Sequence, residues 1–277
     1  MGLPVLTPMD FQRFRDLIYQ EAGIALNDTK IDLVRGRLTK LLNQRRLQSF
    51  HDYYEVLRGD PTGAEISAFI DAISTNKTDF FREASHFEFL ERELLPGLIR
   101  TKKARGDRRM RIWCAAASTG EEPYTLAIVL NRLDLLNGSA WDTKILATDI
   151  STKALDHAVH GVYSPDRTKP VPPAELRALF DRLPDGRYRA AQGLKQAIRF
   201  GRVNLLEERY PFRGPFDFIF CRNVMIYFDA PTRERIVNRM AKFLAPGGHF
   251  FIGKSESLTG LEHPYSYVMP AVYRRGN

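Results

Sequence analysis

From residue 7 to residue 73, apolar positions recur every three or four residues in four runs, each opened by a helix-start signal. Thr7-Pro8-Met9-Asp10 supplies an N-cap, a proline at the first helical position and an acid at the third, and Phe11, Phe14, Leu17 and Ile18 follow at helical spacing. Gly23 can end that helix. The second run, from about Asn27 to Gln44, gathers Ile31, Val34, Leu38, Leu41 and Leu42 on one side, while Arg35, Arg37, Lys40, Arg45 and Arg46 project largely elsewhere. It is amphipathic and basic. Ser49-Phe50-His51-Asp52 and Thr62-Gly63-Ala64-Glu65 read as two more caps, the second a complete capping box. They lead into Tyr53, Tyr54 and Leu57, then Ile66, Phe69, Ile70 and Ile73. The pattern predicts a compact helical domain over residues 1–74.

Beyond Ser74 the period changes. Arg111 to Ala116, Lys144 to Asp149, Phe216 to Cys221 and His249 to Gly253 read as short buried strands. Helices from Pro123 to Leu136, after a Ser151 cap, and from Pro231 to Leu244 alternate with them. That alternation predicts a mostly parallel sheet covered on both faces, a doubly wound α/β fold. One segment breaks the rhythm: Gly186 to Arg189 and Ala197 to Phe200 flank a turn containing Gly193, which predicts an inserted antiparallel hairpin at about 186–202.

Composition narrows the chemistry. The chain has 277 residues, 44% hydrophobic and 27% charged, within the globular range. Its longest apolar stretch falls far short of the roughly 20 residues that cross a bilayer, and its start lacks the basic-then-apolar layout of a leader. A cytosolic protein without membrane insertion is expected. The two cysteines, Cys114 and Cys221, sit inside predicted buried strands, which argues against a disulfide scaffold or a metal cluster. The net charge is +8, yet residues 1–85 hold 11 basic and 12 acidic side chains, so the cationic excess lies in the second segment. Such a field favours an acidic partner without choosing among them.

In an open α/β sheet, ligands sit beyond the carboxyl ends of the strands. After the first strand, Ala115 to Gly120 is a run of small residues that lets a ligand approach the backbone, and Glu121-Glu122 follow at a helix start. This is not a G-x-G-x-x-G phosphate loop. The two acids either complement the helix dipole or face a cationic ligand, and they would repel a phosphate. Asp149, ending the second strand, can accept both hydroxyls of a ribose or cap the next helix, although Ser151 is better placed for the cap. A phosphate-free adenosine ligand such as S-adenosylmethionine (SAM) has the matching parts. Arg82 can pair with a ligand carboxylate or with Glu83 or Asp79, and Asn223 and Tyr227 lie near the rim after the third strand.

The strings Thr75-Asn76-Lys77-Thr78-Asp79-Phe80-Phe81-Arg82-Glu83, Ala115 to Tyr124, Val203 to Glu207, Phe216 to Asp229 and Leu244 to Ser257 together resemble the chemotaxis methyltransferase (CheR) family. The resemblance runs from about residue 7 to the C-terminus. It implies a class I SAM-dependent methyltransferase fold, with a helical domain at 1–74, a linker at 75–85 that contributes to the cofactor site, and a catalytic domain at 86–277 carrying a small antiparallel insertion. The implied activity is methyl transfer from SAM to glutamate carboxylates on the cytoplasmic helices of bacterial chemoreceptors, leaving S-adenosylhomocysteine (SAH), in a cytoplasmic enzyme associated with receptor arrays. By matching position it assigns cofactor contacts to Asn76, Thr78, Arg82, Glu122, Asp149, Asn204, Leu205, Arg222 and Asn223. Arg82 would hold the methionine carboxylate, Glu122 face the cationic end, Asp149 take the ribose, and Asn204 and Leu205 border the adenine. Arg82 and Tyr227 are the residues it places in the reaction itself, Tyr227 near the transferred methyl group.

The resemblance also makes Arg35, Arg37, Lys40, Arg45 and Arg46 a docking face for a glutamate-rich receptor helix, against the plain reading of a solvated charged surface. Some family members capture a peptide at the receptor C-terminus on the inserted hairpin; the segment from Phe180 to Val203 looks shortened and glycine-poor, so no such tether is expected. Two other readings compete. A SAM-binding regulatory module without turnover would keep every ligand position, although intact Arg82 and Tyr227 favour an enzyme. A nucleic-acid methyltransferase is disfavoured, because the run after the third strand lacks N-P-P-Y or D-P-P-Y and no basic patch is interleaved with aromatics.

Overall fold

The computed structural model describes residues 4–136 and 140–276, so the outermost ends of the expected domain ranges, residues 1–3 and 277, lie outside the described residues. Four helices come first: α1 (Pro8–Ala22), α2 (Ile31–Arg45, entered by a 3-10 turn Asp28–Lys30), α3 (Phe50–Arg58) and α4 (Ala64–Ile73). The Thr7–Asp10 capping box forms in both directions, and Ser49 accepts from Asp52 N at the start of α3. Phe14, Ile18, Val34, Leu38, Tyr53 and Phe69 fill the space between the helices with essentially no exposure.

The start of α4 differs from the expected box. Gly63 occupies the N-cap with φ 71°, and Asp60 does the capping, its carboxylate accepting from Glu65 N at 2.7 Å and Ile66 N at 3.2 Å. Thr62 Oγ1 accepts from Ala64 N only two residues on, and the Glu65 side chain pairs with Arg45 instead. The helix starts one position later than the motif assumes, and a carboxylate from before the turn reaches further than the Thr62 hydroxyl.

A long helical stretch follows: α5 (Ser85–Phe89), a π turn at Leu90–Leu94 and α6 (Leu95–Ala104). The α/β part then runs β1 (Arg109–Ala115), α7 (Glu121–Arg132), β2 (Asp142–Asp149), α8 (Thr152–His160), β3 (Val162–Tyr163), α9 (Pro165–Thr168), α10 (Pro173–Leu179), β4 (Phe180–Arg182), β5 (Tyr188–Ala190), α11 (Gln192–Ala197), β6 (Ile198–Arg202), β7 (Phe216–Cys221), α12 (Ala230–Phe243), β8 (Leu244–Phe251), β9 (Tyr265–Met269) and β10 (Val272–Arg275). Seven strands form one sheet in the order β6-β2-β1-β7-β8-β10-β9. The first five are parallel and β10 is antiparallel to both neighbours.

Alternation along β1 explains the two buried faces. Met110, Ile112 and Cys114 point into one core with Phe218 and Phe220, while Trp113 and Ala115 point into the other with Ile219 and Phe250. Helices cover both, as the near-continuous apolar run of β7 requires.

A small antiparallel sheet is present, built differently from the expected hairpin at 186–202. Its strand order is β3-β5-β4, and the hairpin is β4-β5, closed by Gly186 at φ 84°. Gly193 lies inside α11, and Ile198–Arg202 leaves the small sheet altogether to pair in parallel with β2 at the edge of the large one. Alternation at Ile198 and Phe200 marks a strand but carries no information about its partner, which comes from about fifty residues earlier in the chain.

Candidate functional site

Strand order reverses between β1 and β7: the chain builds outward through β2 to β6 on one side, then crosses to place β7 on the other. That is where an open α/β sheet forms its ligand crevice. A cavity of about 380 Å³ lies there, lined from the loops after β1, β2, β6 and β7, from the 73–82 linker, and from the end of α1 and the start of α2. Asn76, Thr78, Arg82, Glu122, Asp149, Asn204, Leu205, Arg222, Asn223 and Tyr227 all line it. No histidine or cysteine does so among the described residues.

The loop after β1 is shaped by backbone geometry. Ala116 and Ser118 adopt φ 66° and 49°, and this turns Ser118 N toward Asp149 Oδ2 at 2.7 Å. Gly120, at φ 99°, starts α7, and a Cβ there would lie 2.7 Å from the Tyr163 hydroxyl and 2.8 Å from the Ala158 Cβ. Only glycine fits. Ser151 N donates to Asp149 Oδ1 at 2.9 Å, and the Ser151 hydroxyl caps α8. Backbone donors therefore fix Asp149 through both of its oxygens, and the carboxylate keeps acceptor capacity for a ligand hydroxyl. Burial pushes its carboxyl upward from the usual range, against the hydrogen bonds from Ser151, Ser118 and Ile150.

The other charged groups form one network. Arg222, buried, donates through Nη1 to Glu122 Oε2 at 2.6 Å and through Nη2 to Glu83 Oε2 at 2.9 Å and to the Arg82 carbonyl at 2.7 Å. Its Nε is buried with no acceptor among the described residues. The other oxygen of Glu122 accepts from the Cys114 thiol at 3.2 Å. Arg82 donates to the Lys77 carbonyl at 2.9 Å, and neither Asp79 nor Glu83 pairs with its guanidinium. Its remaining donors are available to an anion in the cavity.

After β7, Asn223 sits at φ 58°, and Glu256 holds the turn by accepting from Asn223 N at 2.9 Å and Met225 N at 2.7 Å. That fixes the 3-10 turn Met225–Tyr227 at the rim. The helical domain closes the other side: Ala25 N donates to the Tyr227 carbonyl at 2.8 Å, and Asn204 Nδ2 to the Glu21 carbonyl at 2.7 Å. Gly23, ending α1 at φ 68°, brings backbone against Leu206, where a Cβ would come within 2.9 Å. Asn204 also accepts from Leu206 N, so both ends of its amide are engaged by protein. The apolar side of the cavity there comes from Leu205, Val203 and Ile150.

Sequence reasoning missed Glu83, Ser118 and Glu256 as parts of the site. Glu83 was legible only as a possible mate for Arg82, and Glu256 lies in a different string from the turn it organises. Arg37 was assigned to the outward basic face; it instead donates to the carbonyls of Ile73 and Ser74 and to Thr75 Oγ1, and it lines the cavity. Arg45 is likewise occupied, paired with Glu65 and lying over the Tyr53 ring, whereas Arg35, Lys40 and Arg46 are exposed. No helix among the described residues is long and apolar enough to cross a membrane.

The donor set suits a zwitterionic, cationic nucleoside. Arg82, an arginine without a carboxylate partner, can meet an anion, Glu122 an ammonium, and Asp149 a diol, in a cavity with an apolar wall. Comparison with known proteins agrees in kind. Residues 9–74 match the CheR methyltransferase all-alpha domain, and residues 76–273 match the CheR methyltransferase SAM binding domain. The chain is 41% identical over 271 residues to a chemotaxis protein methyltransferase of Salmonella typhimurium, covering 97% of this chain and 90% of that one. It is 39% identical over 271 residues to the Escherichia coli protein of that description, with 97% and 91% covered. Identity to chemotaxis protein methyltransferase 2 of Pseudomonas aeruginosa is 42% over 270 residues, with 96% and 93% covered.

Proposed function

Since the chain belongs to the CheR methyltransferase family, we propose that it methylates glutamate side chains on the cytoplasmic helices of chemoreceptors, with SAM as cofactor and SAH as the product. The observation that carries this reading is the meeting of Arg82, Glu122 and Asp149 around one cavity at the β1/β7 switch point. Bound SAM supplies a methyl group already activated on a sulfonium.

What remains for the protein is placement. A glutamate side chain has a reference pKa of about 4.3 and is anionic at neutral pH, so no general base has to remove a proton before it attacks. Among the described residues no histidine lines the cavity, which fits that requirement. Orientation alone can contribute roughly 7–11 kcal/mol to such a transfer. In this assignment Arg82 holds the methionine carboxylate, Glu122 faces the ammonium, Asp149 takes the ribose hydroxyls, and Asn76, Thr78, Asn204, Leu205, Arg222 and Asn223 complete the enclosure. Tyr227, fixed by the Glu256-bound turn, positions the incoming carboxylate. Because the acceptor anion and the sulfonium neutralise each other during transfer, strong extra charge stabilisation would favour the ground state more than the transition state.

The receptor helix docks, in this proposal, on the exposed basic part of α2, at Arg35, Lys40 and Arg46, in the cytoplasm and within receptor arrays. Arg35 is already paired with Asp32 at 2.6 Å, which leaves Lys40 and Arg46 as the stronger contributors. A receptor C-terminal tether is not required, and calorimetry with such a peptide tests that point: measurable binding would overturn it.

Labelled SAM incubated with receptor-bearing membranes tests the reaction. Base-labile label released as methanol is the expected result. SAM binding without base-labile label would leave only a regulatory module.

A further inference from the structure

Glu83 has a place in the site that neither its sequence neighbourhood nor the assigned contacts account for. It sits at φ 60°, two residues after Phe81 at φ 53°, so two side-chain-bearing residues hold left-handed backbone at the junction between the domains. Its carboxylate gathers three donors from two segments: Oε2 accepts from Arg222 Nη2 at 2.9 Å and Lys254 N at 3.0 Å, and Oε1 accepts from Asn223 Nδ2 at 3.1 Å. Partial burial works to raise its carboxyl, but the hydrogen bond and charge of Arg222, with Asn223 and Lys254 N, hold it below the usual range. It is ionised at neutral pH.

The charge count follows. Arg222 is a single cation between two carboxylates, Glu83 and Glu122, at 2.9 and 2.6 Å. Without Glu83, Arg222 would neutralise Glu122 and that pair would carry no net charge. With it, one negative charge is left over. SAM, with an ammonium, a sulfonium and a carboxylate, has a net charge of about +1 at neutral pH, whereas SAH has none.

We propose that Glu83 is a specificity-determining positioning residue: by saturating Arg222 it keeps the Glu122 wall anionic, and so favours the cationic methyl donor relative to its neutral product. This deepens the SAM reading above and rests on it. Glu83 acts through Arg222 and touches neither ligand in this account. Fastening the Phe81–Glu83 turn is a second consequence of the same hydrogen bonds, and the test separates the two.

Two substitutions divide charge from geometry. Glu83→Gln keeps the length and an acceptor but removes the charge; Glu83→Asp keeps the charge but shortens the reach. Calorimetric affinities for SAM, SAH and the uncharged 5′-methylthioadenosine are measured on the full-length protein and both variants. Expected for Glu83→Gln is a shift of the SAM-to-SAH affinity ratio against SAM by about five- to tenfold, the size of a unit charge acting at short range in a partly screened site, with methylthioadenosine binding unchanged. For Glu83→Asp, SAM and SAH weaken together and their ratio stays within about twofold of the native protein's. A ratio unchanged in Glu83→Gln, or shifted equally in Glu83→Asp, overturns the proposal, as does loss of methylthioadenosine binding in step with SAM, the mark of a collapsed pocket. If the unmodified protein binds neither SAM nor SAH, the functional reading fails, and this inference with it; if it binds both and only the ratio test fails, the SAM reading stands without Glu83.

Discussion

Replacing Asp149 by asparagine probes the most constrained carboxylate of the cavity. The residue is 7% exposed, and its two oxygens accept from Ser118 N at 2.7 Å and Ser151 N at 2.9 Å. Whichever way an asparagine amide turns, its NH2 meets one of those N–H groups, and a buried donor loses its acceptor. That costs about 1–3 kcal/mol of stability. The lower end is favoured, because the neutral amide escapes the burial penalty that pushes the carboxyl upward. The ligand, meanwhile, loses a charged acceptor for its ribose hydroxyls. A hydrogen bond to a charged group contributes about 1.5–3 kcal/mol, so the Kd for SAM should rise roughly 10- to 150-fold. Calorimetry with SAH and its 2′,3′-dideoxy analogue, on native and Asp149→Asn proteins, closes a cycle that isolates the hydroxyl contact. The native protein should prefer SAH by about the same factor, and the variant should bind both ligands within about threefold of each other. Equal loss for the two ligands would refute the ribose assignment, because the damage would then have come from the loop rather than from the contact.

Three further outcomes follow from named interactions. Glu121 is fully buried and pairs with Arg167, which is about one-third exposed, so Arg167→Met should cost about 2–3 kcal/mol in urea unfolding, and adding Glu121→Gln should restore most of it; no recovery in the double variant would show that the loss lay elsewhere. His86 and His249 are held down at about 4, His86 by burial and the Arg222 charge, His249 by burial and Arg274. The unfolded chain takes up those protons near 6.5, so stability falls as pH drops from about 6.5 toward 4, by up to about 3 kcal/mol per histidine; a urea midpoint equal at pH 7 and pH 5 would contradict it. Arg37→Ala should weaken SAM binding by about three- to tenfold without any receptor present, through the loss of its bonds to the 73–75 linker. Lys40→Ala should leave SAM binding intact while lowering receptor methylation at low ionic strength and flattening its salt dependence. Identical behaviour of the two variants would return Arg37 to the docking face.

Local chemistry was legible in the chain. The Thr7 box, the Ser49 and Ser151 caps and the apolar alternation of β1 and β7 depend on neighbours within four residues, so their spacing alone specifies them. The doubly wound layout followed from the order of those elements, and the candidate residues from the strings that end each strand. What spacing could not supply was partnership across the fold. Ile198–Arg202 reads as a strand in any register, and only the open edge of β2 draws it out of the hairpin. Arg37 reads as one basic side chain among five until the linker carbonyls lie beside it. Arg222, Glu83 and Glu122 are separated by 139 and 100 positions along the chain, and their single shared charge balance exists only once β7, α7 and the domain junction have packed together. Periodicity and caps are short-range and add up residue by residue, whereas the electrostatics of a cavity is set by burial and by which charges end within a few ångströms of one another, and those are properties of the folded arrangement alone.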